Sequence, residues 1–130
     1  MHRSIEVALV ALALIMTGNV LAAQTYPSRP IRVIVPFPPG GNVDVFARVL
    51  YRYVEQDLGQ SIVIDNRGGA NSILGSDIVA NATPDGYTLL NTSFGFAVNP
   101  AIMKKLPFDV VKDFVPVTNI ALGTGYLMVA

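Results

Sequence analysis

A β-branched run at 31–35 meets Pro36, Pro38 and Pro39, then Gly40 and Gly41, and then an amphipathic segment. No other stretch restricts the fold as tightly. The prolines stop a strand because they cannot donate to a ladder, and the glycines permit a tight turn with positive φ. The order is strand, bare-backbone turn, helix N-terminus. The first amides of a helix have no partner within it and lie at the positive end of its dipole. A small anion, carboxylate or phosphate, is therefore expected to sit on them. A nucleotide-binding P-loop would place Lys and Ser/Thr after its last glycine, and Asn42-Val43-Asp44 supplies neither. The alternative is a tight turn with no ligand.

The same alternation runs through the rest of the chain. Val43, Phe46, Ala47, Leu50, Val54 and Leu58 recur at helical spacing and predict a helix stopped by Gly59. Arg48, Arg52, Glu55 and Gln56 fall on its wetter side. A second strand is expected at 61–65, and a second helix at 72–82 burying Ile73, Leu74, Ile78, Val79 and Ala82. Pro84-Asp85-Gly86 is a turn signal, and a third strand follows at 87–90. Asn99 and Pro100 are placed as N-cap and first residue of a short helix. Residues 106–113 read as a connection with at most one helical turn, and 115–121 and 126–130 as two further strands. The expected fold is α/β, a right-handed doubly wound parallel sheet. Ligands of such sheets bind beyond the carboxyl ends of the strands, where the loops at 36–42, 66–71 and 91–95 should converge.

Residues 1–23 read as a secretory signal peptide. Arg3 gives a weak positive start, and residues 7–16 form an uncharged apolar run of about ten, within the range of a signal and short of the ~20 that span a bilayer. Small residues at the end of the segment predict cleavage after Ala22 or Ala23, and so a periplasmic product; a retained membrane anchor is the alternative. The absence of cysteine excludes a lipid anchor, a disulfide framework and thiol chemistry. The single histidine, His2, lies in the signal, which leaves 24–130 without a Ser-His-Asp triad or a His or Cys metal ligand. Eight basic and eight acidic residues then remain, with no basic patch for nucleic acid. No cofactor or metal site is expected. Because the chain stops within the apolar run 126–130, it is expected to be the N-terminal part of something longer.

Asp44 falls in the first turn of the first helix, where it reads as a loop organiser, since facing the cleft it would repel an anion. Thr92 and Ser93 follow a buried strand, so their hydroxyls can donate to a carboxylate at the sheet edge or make local turn bonds. Ser93 is a poor nucleophile candidate because Asn91-Thr92-Ser93-Phe94-Gly95 is not G-x-S-x-G. Arg67 is a candidate partner for a carboxylate, or a solvated arginine paired with Asp65. Phe37, Phe94 and Phe96 wall the cleft or belong to the core. Tyr87 reads as core, and Lys104-Lys105 as a solvated helix end.

These motifs occur in a fixed order: Tyr26-Pro-Ser-Arg-Pro-Ile-Arg, Val35-Pro-Phe-Pro-Pro-Gly-Gly with Asp44 and Arg48, Asn66-Arg67, Gly75, Pro84-Asp85-Gly86-Tyr87-Thr88-Leu89-Leu90, Asn99-Pro100, Leu106-Pro107-Phe108-Asp109 and Lys112-Asp113-Phe114. As an ensemble the chain resembles the Bug receptors, the extracytoplasmic solute-binding proteins of tripartite tricarboxylate transporters. The resemblance implies a two-lobed type II periplasmic-binding fold, of which 24–130 would be the N-terminal lobe, closing on a small carboxylate. It implies a ligand held by amides, hydroxyls and water, with membrane transporter subunits or a sensor kinase as partners. Carried over by position, Phe37, Pro38, Gly40, Gly41 and Asn42 of the first loop and Thr92, Ser93 and Phe94 of the third would form this lobe's half of the site. Val43 stands where the family usually has Thr, and Gly68 where it usually has Pro, which would loosen the second loop. A hydrolase or transferase fragment with catalytic residues elsewhere, or an inactive remnant, are the other readings.

Overall fold

A computed structural model describes residues 25–122. The signal segment 1–23 and the expected strand at 126–130 lie outside the described residues. Three strands, β1 (Ile31–Val35), β2 (Ile62–Asn66) and β3 (Thr88–Leu90), alternate with three helices, α1 (Asn42–Leu58), α2 (Ile73–Ala80) and α3 (Gly95–Ile102). The sheet order is β2-β1-β3 with both pairs parallel, so β1 is central. This is the doubly wound α/β arrangement expected from the alternation.

The central strand is almost wholly buried because both of its faces are covered, as parallel strands require. Ile31, Val33 and Val35 point to one face and form the core with Ala47 of α1, flanked by Val43, Tyr51, Ile62, Ile64 and Leu89. Ile34 points to the other face, where α2 crosses. There Gly75 brings the helix so close that a Cβ would stand 2.7 Å from Cβ of Pro36 and 2.8 Å from the Arg67 carbonyl oxygen. Arg32 is the polar member of the strand. Its guanidinium reaches across the sheet to Asp65, at 2.6 Å through Nη2 and 3.1 Å through Nε.

Several expectations need correction. The inward stripe of α1 is Val43, Asp44, Ala47 and Tyr51, whereas Phe46 is 59 % exposed and Leu58 is also exposed. Glu55, expected on the wet side, accepts the Ile62 N–H at 2.6 Å. The buried residues of α2 are the small Gly75 and Ser76, and Leu74 faces out; close approach to the Pro36 turn leaves no room for a large side chain. Asn99 is not an N-cap. It lies within α3, fully buried, and Pro100 follows it inside the helix. The helix starts earlier because the carbonyls of Ser93 and Phe94 already accept from Phe96, Ala97 and Val98. Residues 115–121 form no strand and are exposed, with no neighbouring strand to pair with among the described residues.

At the opposite end of the sheet the segment before β1 is strapped to the Asp85-Gly86 turn. Tyr26 Oη donates to the Gly86 carbonyl at 2.8 Å, and Arg29 pairs with Asp85 at 2.7 Å while stacking over the Tyr87 ring. Tyr87 thus borders the core and also uses its hydroxyl, which accepts from the Ser28 N–H. The close approach of α2 gives the first prediction. Gly75→Ala should destabilise the fold by about 1–3 kcal/mol, because the new methyl meets a proline ring and a backbone carbonyl that cannot yield cheaply. Urea denaturation measures it; an unchanged midpoint would mean that α2 stands further from Pro36.

Candidate functional site

The three loops expected at the carboxyl edge do leave the sheet there, and β1 and β3 are paired up to Ile34 and Leu90. In the first loop Gly40 carries the positive φ, 80°. Gly41 is the N-cap in an extended conformation that any residue adopts, with a would-be Cβ 3.4 Å from the Pro38 carbonyl oxygen. The glycine requirement of the turn therefore sits at Gly40.

Asp44 is the centre of this loop. Its side chain is 2 % exposed, and its carboxylate bends back over the start of its own helix. Oδ2 accepts from the Gly40 N–H at 2.8 Å and from Arg48 Nε at 2.9 Å, and Oδ1 accepts from Asn66 Nδ2 at 3.0 Å. The expected loop organiser is thus also an internal anion, set on an amide that the sequence offered to a ligand. Asn42 Oδ1 accepts the Val43 N–H, and the Gly41 N–H reaches the Pro38 carbonyl at 3.4 Å. The Arg48 guanidinium, with the Gly40 N–H and the Asn66 amide, holds the Asp44 carboxyl at about 2, below its ordinary 3.8, although burial opposes the shift. The same pairing raises the pKa of Arg48.

The second loop is tied to the first through Asn66, whose Nδ2 also donates to the Phe37 carbonyl at 3.1 Å and whose Oδ1 accepts from Arg48. Arg67 donates its N–H to the Val35 carbonyl and pairs with Asp65 at 2.8 Å. Of the two readings of Arg67, the structure has the Asp65 pair. Asp65 serves Arg32 as well, and Arg32 leads in lowering its pKa. Gly68 rests against Phe37 and Pro38, where a Cβ would make ordinary contacts at 3.5 Å.

In the third loop Asn91 is buried and its N–H donates to the Ile34 carbonyl at 2.9 Å. Thr92 follows, and its Oγ1 is buried without a hydrogen-bond partner among the described residues. Ser93 and Phe94 begin the first turn of α3, with Phe94 83 % exposed. Phe96 is half-buried in an aromatic cluster apart from the sheet core, stacked with Phe108 and edge-on to Phe114, while Phe37 packs at the core margin. Asn71 and Asn99 join the second loop to α3. The structure therefore gathers Phe37, Pro38, Gly40, Gly41 and Asn42 in one loop and Thr92, Ser93 and Phe94 in another, bridged by the loop after β2. The bridging role of Asn66, Asn71 and Asn99 is not among the sequence expectations, although Asn66 and Asn99 stand in the motifs that carry the resemblance. The one available signal was Asn99, a polar residue interrupting the apolar segment 96–102. A broad depression formed by Pro100, Met103, Leu106 and Phe108 lies towards the other end of α3 and holds none of these residues.

Residues 46–130 match the family model described as tripartite tricarboxylate transporter family receptor. Protein BugT of Bordetella pertussis is 48 % identical over 102 residues, covering 77 % of this chain and 31 % of its own. A solved periplasmic transporter is 53 % identical with a TM-score of 0.69, covering 72 % of this chain and 32 % of its own. MatC from Rhodopseudomonas palustris, solved with bound malate, is 38 % identical with a TM-score of 0.65, covering 71 % and 32 %. The chain spans about a third of the length of the curated relatives it matches.

The buried carboxylate makes stability depend on pH with a definite sign. Asp44 binds its proton less readily folded than unfolded, so its contribution is fully present above about 3.8 and is lost as pH falls towards about 2. Asp44→Asn, which turns an amide donor towards other donors, should be clearly less stable than the wild type at neutral pH. That gap should close between about pH 4 and pH 2. Urea unfolding at a series of pH values checks this, and a gap that stays constant to pH 2 would show that the charge is not what the network holds.

Proposed function

Because the chain belongs to the tripartite tricarboxylate transporter receptor family, we propose that it forms the N-terminal lobe of a periplasmic receptor that captures a small carboxylate. The receptor would deliver it to membrane transporter subunits or to a sensor kinase. The observation that carries the site is Thr92 Oγ1, a buried hydroxyl just beyond β3 that has no partner among the described residues. A buried polar group left unmade costs about 1–3 kcal/mol, and a ligand carboxylate oxygen is the natural acceptor for it. The relative with bound malate supports a dicarboxylate as the ligand class.

The electrostatics of the edge favour a neutral cradle. Arg67 of the second loop pairs with Asp65, and Arg48 of α1, behind the first loop, pairs with Asp44, so each arginine beside these loops already has a carboxylate partner. The ligand charge would be met by hydroxyls of Thr92 and Ser93 and by those amides of the first and third loops that are not already engaged, since Gly40, Gly41 and Val43 donate to Asp44, Pro38 and Asn42. A helix N-terminus contributes about 0.3–1 kcal/mol to an anion, ~2 when partly buried, whereas micromolar affinity needs about 8. An opposing lobe that expels water and completes the hydrogen bonds would supply the remainder, which is why a flytrap rather than an open groove suits this site.

Calorimetry on the complete gene product with malate, succinate, adipate and citrate tests the reading, with one of them expected to bind at micromolar affinity. Thr92→Val should then weaken binding by roughly 0.5–1.5 kcal/mol through one lost hydrogen bond, and Arg67→Ala should matter less. Dominance of Arg67 would replace the neutral cradle by an ion-pair site. Export is tested separately by N-terminal sequencing of the periplasmic fraction, where processing after Ala22 or Ala23 is expected. An intact Met1 in membranes would make the segment an anchor.

A further inference from the structure

The loop after β2 passes through four consecutive residues of positive φ: Gly69 at 135°, Ala70 at 47°, Asn71 at 54° and Ser72 at 70°. Three of these carry a Cβ that crowds the following carbonyl in this region, so such residues normally occur singly and persist only where their surroundings over-determine them. Local bonds supply part of the support. The Ile73 N–H donates to the Ala70 carbonyl at 3.2 Å, and Ser76 returns both its N–H and its hydroxyl to the Ser72 carbonyl. The rest comes from α3. Asn99, 0 % exposed, donates through Nδ2 to the Asn71 carbonyl at 3.1 Å and stands 3.4 Å from Ser72 Oγ. Its Oδ1 accepts from Asn71 Nδ2 at 2.6 Å. Among the described residues, every side-chain bond of this buried amide goes to the left-handed turn. A right-handed turn would carry the Asn71 carbonyl away and strand the amide unpaired.

We infer that Asn99 is a positioning residue of the cradle, locking the left-handed turn at 69–72 to α3 and thereby fixing the Thr92–Phe94 loop against the first two loops. The mechanical chain is continuous. Asn66 binds Asp44 and the Phe37 carbonyl, Gly68 rests on Phe37 and Pro38, and Asn71 and Ser72 hold Asn99 seven residues into the segment that starts at Thr92. Its consequence for ligand rests on the receptor reading above; the lock itself does not.

The experiment combines amide hydrogen exchange on the complete gene product, without ligand, with malate calorimetry. Asn99→Leu keeps bulk and removes every bond. Exchange should rise at least tenfold at Ile73 and Ser76 and at Phe96 and Ala97, while the strand-end amides of Arg67 and Asn91, bonded to Val35 and Ile34, keep wild-type protection. Adding Asn71→Gly, which supplies positive φ without a clamp, should restore Ile73 but not Phe96 or Ala97. Malate affinity should fall at least tenfold in Asn99→Leu and stay low in the double variant, because α3 remains unlocked. Wild-type exchange in Asn99→Leu, uniform acceleration of all these amides, or no recovery of Ile73 in the double variant would each overturn the inference. If the wild type binds no malate, the ligand class proposed above fails, while the exchange pattern still decides the lock.

Discussion

A carboxylate taken out of water must be met by donors on nearly every lone pair, and Asp44 is met by three groups from three places in the chain. The Gly40 N–H comes from the turn, Arg48 from the next turn of the same helix, and Asn66 from the end of the neighbouring strand. To supply them, the turn must curl back through the positive φ of Gly40, and α1 must present Asp44 inward. Asn66 in turn holds the Phe37 carbonyl. One buried charge thus sets the shape of the first loop, the rotation of the first helix and the join between the first two β-α units.

The rotation of α1 shows how a polar requirement overrides an apolar pattern. With Asp44 and Ala47 turned towards the sheet, Val43 and Tyr51 follow them at helical spacing, and Val45, Phe46, Val49 and Tyr53 face outward. A hydrophobic stripe read from sequence has two candidate faces here, because apolar residues occur on both. Area burial alone does not choose between them, whereas a buried carboxylate with fixed donors does.

The same network bears on chemistry. Carboxylates engage Arg48 of α1 and Arg67 of the second loop, the first helix already has an anion at its amide end, and a buried hydroxyl without a partner among the described residues lies on the third loop. Under the receptor reading proposed above, a site of this kind would recognise charge through dipoles and hydroxyls, contacts that gain strength as water is excluded.

Much of the fold was legible in the chain itself. β1, α1 with its Gly59 stop, the turn at Asp85-Gly86 and the parallel α/β class follow from periodicity, proline and glycine, which act over a few residues and so are written locally. The position of the loops at one sheet edge, the organising role of Asp44 and the alternative that paired Arg67 with Asp65 were likewise within reach. The helix containing Asn99 was misplaced, and the strand at 115–121 did not form. An Asn-Pro pair reads locally as a cap, and a β-branched segment becomes a strand only when a partner lies beside it. What only the tertiary structure decided are the polar pairings between residues far apart, Asn66 with Asp44 across 22 positions and Asn71 with Asn99 across 28. Asparagine is compatible with turns, caps and buried clamps alike, and only the three-dimensional placement of its donors and acceptors selects among them.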